Sequence, residues 1–223
     1  MRTTRRDFIE RAALGAAVLS GLPRDLLAGV PADQSAPQEE KWDVSWPNRI
    51  AGKHRAIFDV AEVESGYGVW RANAWAGQTV QVLGARPADV TTVIVLRHNG
   101  IALAMQQAFW DKYGIGKAKS VMHPLTLQPT TKNPALMGEK DGIPQPFASA
   151  ALPMQLQRGV IVLACNLALQ DCVELIKTKD KVKDDVAEKQ ARAMLVPGVI
   201  LQPSGVFAAV RAQQSGCAYV RAS

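Results

Sequence analysis

Three short runs dense in β-branched and aliphatic residues, "VTTVIVL" (90–96), "GVIVLA" (159–164) and "PGVILQ" (197–202), recur along the chain with helix-patterned segments between them. A strand that is apolar on both sides has to be covered on both sides, and this is the condition of a parallel sheet. Parallel neighbours also need a long crossover, most readily a helix. The series begins at "HRAIFDV" (54–60) and closes with "CAYVR" (217–221) as an edge strand. The expected class is α/β: three layers, α/β/α, around a five-stranded, mainly parallel sheet.

The connecting segments carry the matching period. "YGVWRANAWAGQTVQVLG" (67–84) reads as a helix stopped by Gly84. In "GIALAMQQAFWDKYG" (100–114), Ile101, Ala104, Met105, Ala108 and Phe109 fall at helical spacing, which predicts one helix ended by Gly114. Further helices are expected over 149–157 and from Asn166, where Leu169, Cys172, Val173 and Ile176 form the buried stripe. A charged surface helix should follow in 179–195, leaning inward on Val182, Val186 and Met194, and another in 203–216. Trp70, Trp75 and Trp110 lie on helices and read as core or subunit-contact residues. Residues 117–148 hold five prolines and no period, so an irregular excursion is expected, of the kind that serves as a cover or an oligomer contact.

The N-terminal stretch "TRRDFIERAALGAAVLSGLP" sets Arg5 and Arg6 before an apolar run of small residues, the pattern of a twin-arginine export signal. A membrane span needs ~20 apolar residues, and this run is broken by Gly21, Pro23, Arg24 and Asp25. The expected organisation is a removable signal over 1–32, a polar linker over 33–53 with Trp42 and Trp46 docked on the body, and a domain over 54–223. Such a signal implies the twin-arginine translocase as a transient partner and a periplasmic address. Of the chain's 26 basic and 20 acidic residues, five and three lie in 1–32; the remaining 21 and 17 are dispersed, which argues against nucleic-acid binding.

In parallel α/β sheets ligands sit beyond the carboxyl ends of the strands, which singles out "RHNG" (97–100), "CN" (165–166) and "PSG" (203–205). Cys165 falls where a strand gives way to a helix, so first-turn N–H groups favour its anion and a nucleophilic role; the other reading is a small core residue. His98 reaches the same edge and is compatible with holding a thiolate, moving a proton or binding a metal. One His and one Cys fall short of a zinc site, however, even with His123 considered, so no metal is expected. Asn99, Asn166, Ser204 and Gly205 are candidate ligand contacts, with helix capping the plainer role of Ser204. Cys172 lies seven residues beyond Cys165, ~10 Å along a helix, too far for a disulfide that needs about 7 Å between Cα atoms. Cys217 is expected at the opposite edge. Folded export would let reduced thiols be set before the periplasm is met.

No phosphate-binding glycine loop, serine-hydrolase elbow or HExxH helix is present, and no cofactor is expected. Taken together, "VIVLRHNGIALAM", "GVIVLACNLAL" and "VPGVILQPSGVFAAVRAQQSGCAYVR" resemble the DsrE family of small sulfur-relay proteins, which includes YchN-like members. The resemblance covers about residues 54–221. It implies a five-stranded parallel sheet, homo-oligomers often built on trimers, and a sulfur-handling cysteine after the third strand, the position of Cys165. The export signal and the excursion depart from the smallest family members. Two functions follow as expectations: relay of sulfur as a persulfide on Cys165 between an unnamed donor and acceptor, or a non-catalytic periplasmic binding or assembly module in which Cys165 packs.

Overall fold

The computed structural model describes residues 42–223. The expected signal and the first part of the expected linker lie outside the described residues. The body is a five-stranded sheet in the order β4-β3-β2-β1-β5, comprising β1 (His54–Val60), β2 (Val90–Leu96), β3 (Ile161–Cys165), β4 (Ile200–Gln202) and β5 (Ala218–Arg221). Every pairing is parallel, and β5 is an edge strand. The sheet and its helical covers are those the apolar runs require.

The helices are α1 (Tyr67–Leu83), α2 (Gln107–Tyr113), α3 (Ile115–Ala118), α4 (Leu152–Gln157), α5 (Asn166–Asp180), α6 (Asp184–Ala193) and α7 (Gly205–Gln214). Their distribution follows from handedness. Strands β1 to β4 step in one direction across the sheet, so right-handed crossovers keep α1 and α5 on one face. The step from β4 to β5 goes the other way and puts α7 on the opposite face. Alternate strand residues divide accordingly: Phe58, Ile94, Leu96, Val162 and Ala164 join the larger core under α1 and α5, while Ile57, Val93, Val95, Ile161 and Leu163 pack under α7.

Three expectations need correction. The single helix foreseen over 100–114 is broken: 98–104 winds as a 3-10 segment, Met105 leaves it to form an isolated bridge with Leu195, and α2 starts at Gln107. The apparent stripe misleads because residues 100–105 are buried all round, whereas Ala108 is exposed. Trp46 docks as expected, 1% exposed within the core beneath α7. On α6 the inward residues are Ala187 and Ala191, with Val186 turned outward, because small side chains let α6 lie close on α5. The helix expected over 149–157 is a 3-10 turn, Phe147–Ala150, followed by α4.

The excursion 117–148 is irregular, as its prolines suggest, yet it is firmly docked. Asn133 is fully buried and donates through Nδ2 to the carbonyls of Leu103 and Met105, at 3.1 and 2.7 Å, while its Oδ1 accepts from Ala135 N. The Met105 carbonyl left unpaired where the helix breaks is thereby satisfied from the excursion. Among the described residues no helix is long and apolar enough to cross a membrane.

Candidate functional site

Strands β3 and β4 lie side by side, with Cys165 paired to Gln202, and the chain leaves their carboxyl ends in opposite directions. From β3 it enters α5 on one face; from β4 it enters α7 on the other. Such a divergence is the place where open parallel sheets hold ligands. Cys165 ends one strand there, and the Ser204–Gly205 turn follows the other.

Cys165 is the N-cap of α5, and its Sγ accepts a hydrogen bond from Ala168 N at 3.4 Å. An N–H that has no partner within the helix is thereby directed at the sulfur. The residue is nevertheless 6% exposed and part of the larger core. Asn166, the first residue of α5, accepts from Arg192 Nη2 at 3.3 Å, and the Arg192 guanidinium lies 6.0 Å from the Trp42 ring. Trp42 is therefore docked, as is Trp46, whose Nε1 donates to Gln202 Oε1 at 2.9 Å. Gln202 in turn donates to the Asp43 carbonyl. The N-terminal arm thus crosses the end of β4 at Gln202, the strand partner of Cys165.

Ser204 takes its capping role: its Oγ accepts from Phe207 N at 3.0 Å. Gly205 is needed for close approach rather than for a left-handed backbone, since it abuts the Arg97 side chain. Neither shows a feature that marks a ligand. Asn99 is exposed and engaged on both sides, donating to Glu62 Oε2 at 2.9 Å and accepting from Lys119 Nζ at 2.8 Å.

His98 is exposed, with a left-handed backbone (φ 47°), a conformation that a non-glycine residue holds only when its surroundings impose it. No hydrogen bond joins His98 to Cys165 among the described residues. His98 instead acts electrostatically on Asp59 and Asp171. Desolvation pushes the Asp171 carboxyl up, although the residue as a whole is exposed, and the charges of Lys119 and His98 oppose that rise.

No protein-family model matches this chain, and no curated protein does either. The site therefore has to be judged on its own geometry.

That geometry includes a buried cluster absent from the sequence-based candidates. Asp59, 3% exposed near the end of β1, is gripped by Arg97, with Nε to Oδ1 at 2.6 Å and Nη2 to Oδ2 at 2.7 Å; Tyr219 on β5 also donates to Oδ2 at 2.5 Å. Burial pushes the Asp59 carboxyl up, but the hydrogen bonds from Arg97 and Tyr219 and the charges of Arg97 and His98 outweigh it, and the net shift is downward. The signal was legible: an aspartate inside the apolar run "AIFDV" and an arginine directly after "VIVL" both interrupt strands that should be buried.

All three cysteines are free thiols. Cys172, in the stripe of α5, is pushed up to about 12 by burial and by the charge of Asp171. Cys217 precedes β5 at the opposite sheet edge, and burial raises it too, against the charge of Arg55. His123 serves the excursion: its Nδ1 accepts from Leu125 N and Thr126 N, which leaves Nε2 to donate to the Asp141 carbonyl. No group of three or more His, Cys, Asp or Glu suited to a metal ion occurs among the described residues.

Proposed function

We propose that this chain is an exported, DsrE-like sulfur carrier in which Cys165 accepts a sulfur atom as a persulfide and passes it on. The observation that carries this reading is the Ala168 N–H directed at Cys165 Sγ from the first turn of α5. The Cys165 thiolate attacks the outer sulfur of a donor persulfide; a new S–S bond forms, the donor's S–S bond breaks, and the donor leaves as a thiolate. In delivery an acceptor thiolate attacks that same outer sulfur, and Cys165 departs as the anion. No oxidant or reductant is consumed. The Ala168 N–H faces the sulfur at both stages, and Asn166, Ser204 and Gly205 lie at the same carboxyl ends of β3 and β4, from which the donor approaches. A periplasmic address reached through the twin-arginine translocase, and a trimer-based homo-oligomer, belong to the same proposal. The exposed Val206 and Val210 on α7, among the described residues the one α-helix covering its face of the sheet, favour a subunit contact.

The test is to incubate the full chain with a persulfide donor and weigh it. A gain of one sulfur that is lost in Cys165→Ser and kept in Cys172→Ser is the expected result; no gain overturns the relay.

One observation favours a second reading, a non-catalytic binding or assembly module: Cys165 is 6% exposed and packs with the core. On that reading iodoacetamide labels Cys165 no faster than Cys172, and Cys165→Ser leaves oligomer mass and partner binding unchanged. The relay requires Cys165 to be labelled first.

A further inference from the structure

Three buried side-chain polar atoms among the described residues have no hydrogen-bond partner: Trp70 Nε1, Gln155 Oε1 and Gln190 Oε1. Two of them belong to residues that line one groove, which runs beside α1 in two adjoining lobes of about 460 and 730 Å³. The lobes meet at Asn73, Ala74 and Pro146. Volumes of this size are those of small-molecule sites.

The orientation of Gln155 is fixed. Both N–H groups of its fully buried amide are used, by the carbonyls of Val69 at 3.0 Å and Ala150 at 2.8 Å. Turning the amide over would set its oxygen against those two carbonyls. Oε1 therefore stays an acceptor without a donor, and Trp70 Nε1 stays a donor without an acceptor. Buried polar groups are ordinarily satisfied, so a pair of complementary orphans at one groove calls for a partner that brings both an acceptor and a donor.

The remaining lining adds two constraints. Arg71 lines the smaller lobe, Arg49 and Arg158 line the larger, and no Asp or Glu lines either. Arg158 is held by neutral oxygens alone, Asn73 Oδ1 at 2.6 Å and the Ser149 carbonyl at 2.8 Å, so its charge faces the groove without a carboxylate. The aromatic wall is Tyr67, Trp70 and Phe147, with Phe147 stacked on Trp70 at 5.4 Å. The orphan atoms have no solvent contact, so a ligand engages them as the groove wall opens: at Trp70 by outward turning of the half-exposed Phe147 ring stacked on it, and at Gln155 by movement of the wall of the larger lobe.

We infer that this groove is a binding site for a small aromatic anion carrying an N–H or O–H donor. Its rings lie against the aromatic wall, its donor satisfies Gln155, its acceptor satisfies Trp70, and its charge is met by Arg158, since Arg71 is already paired with Glu64. This site is independent of the sulfur chemistry proposed for Cys165.

The test titrates the full chain with 1-anilinonaphthalene-8-sulfonate, which combines rings, an N–H and an anion, and with N-phenyl-1-naphthylamine, which lacks the anion. The sulfonate should saturate at one per chain and shift the indole N–H resonance of Trp70. A Cβ at Gly77, in the larger lobe, meets nothing within 4 Å, so the Gly77→Trp side chain starts in open space and, projecting into the lobe, should weaken binding at least tenfold. Arg158→Gln, an exposed change, should weaken the sulfonate at least fivefold and the neutral probe less than twofold. Non-saturating binding, an unmoved Trp70 resonance, or equal loss of both probes in Arg158→Gln overturns the site. So does a Gly77→Trp protein that changes oligomer mass but binds the sulfonate as before, which would assign the groove to a subunit contact.

Discussion

Gly205 opens α7 directly on the Arg97 side chain: a Cβ at residue 205 would fall 2.7 Å from Arg97 Cβ and 2.8 Å from its Cδ. The turn that starts α7 and the ion pair that ties β1 to β2 are therefore one packing unit. Gly205→Ala should displace Arg97 and destabilise the protein by about 1–3 kcal/mol, the usual range for an overpacked interior. Urea unfolding measures it. If Arg97 is the route, the cost shrinks when Asp59→Asn has already released the guanidinium, a non-additivity that a double-mutant cycle reads.

Asp59→Asn alone leaves Arg97 largely buried with no counter-charge, and a loss of about 2–4 kcal/mol is expected. The pH dependence follows from the directions of the two shifts. The folded pKa of Asp59 lies below its unfolded value of about 3.9, so its stabilisation is complete above about pH 4 and is lost as pH falls through the folded value. Tyr219 is shifted up, chiefly by its hydrogen bond to Asp59 and then by burial; its contribution is complete below about pH 10 and lost as pH rises through the folded value. Unfolding midpoints should form a plateau between these limits. Asp59→Asn should flatten the acid limb and Tyr219→Phe the alkaline one.

Cys165 caps α5, and on the proposed relay it also carries the sulfur; the two roles are separable. Serine also accepts from the Ala168 N–H, so Cys165→Ser should unfold within about 0.5 kcal/mol of the wild type while losing the persulfide. Cys165→Ala removes the acceptor and should cost about 0.5–1 kcal/mol. Equal stabilities for the two variants would mean that the Ala168 contact contributes nothing to the start of α5.

How much of this was readable in advance depends on whether a residue's neighbours are close in sequence. β1 and β2 were bounded by composition alone, because a run apolar on both faces has few other places to go. The cap at Cys165 was also local, lying at the joint between an apolar run and a helical stripe. The break at Met105 was not, because the groups that satisfy it, Asn133 and Leu195, come from segments 28 and 90 residues away. The Asp59 cluster joins β1, β2 and β5, so its residues could be suspected singly but not assembled. Trp46 was suspected of docking, yet its partner Gln202 lies 156 residues on.

That long-range contact makes the N-terminal arm a structural element. Trp46→Phe keeps most of the buried ring but strands Gln202 Oε1 in an interior position, which should cost about 1–3 kcal/mol. Trp46→Ala adds a cavity beneath α7 and should cost about 3–5 kcal/mol.

The excursion depends in the same way on one amide. Asn133→Ala removes both donors that hold the Leu103 and Met105 carbonyls and the acceptor for Ala135 N, leaving several buried backbone groups unpaired. Each such group costs about 1–3 kcal/mol if nothing relaxes, so the segment should come away locally before that whole penalty is met. Limited proteolysis should then cut within 117–148 much faster than in the wild type, with the sheet intact by circular dichroism. The same preparation tests whether the excursion shields the thiol: iodoacetamide labelling of Cys165 should accelerate with the cutting. An unchanged labelling rate would mean that the excursion braces the 98–105 segment and has no part in guarding the sulfur.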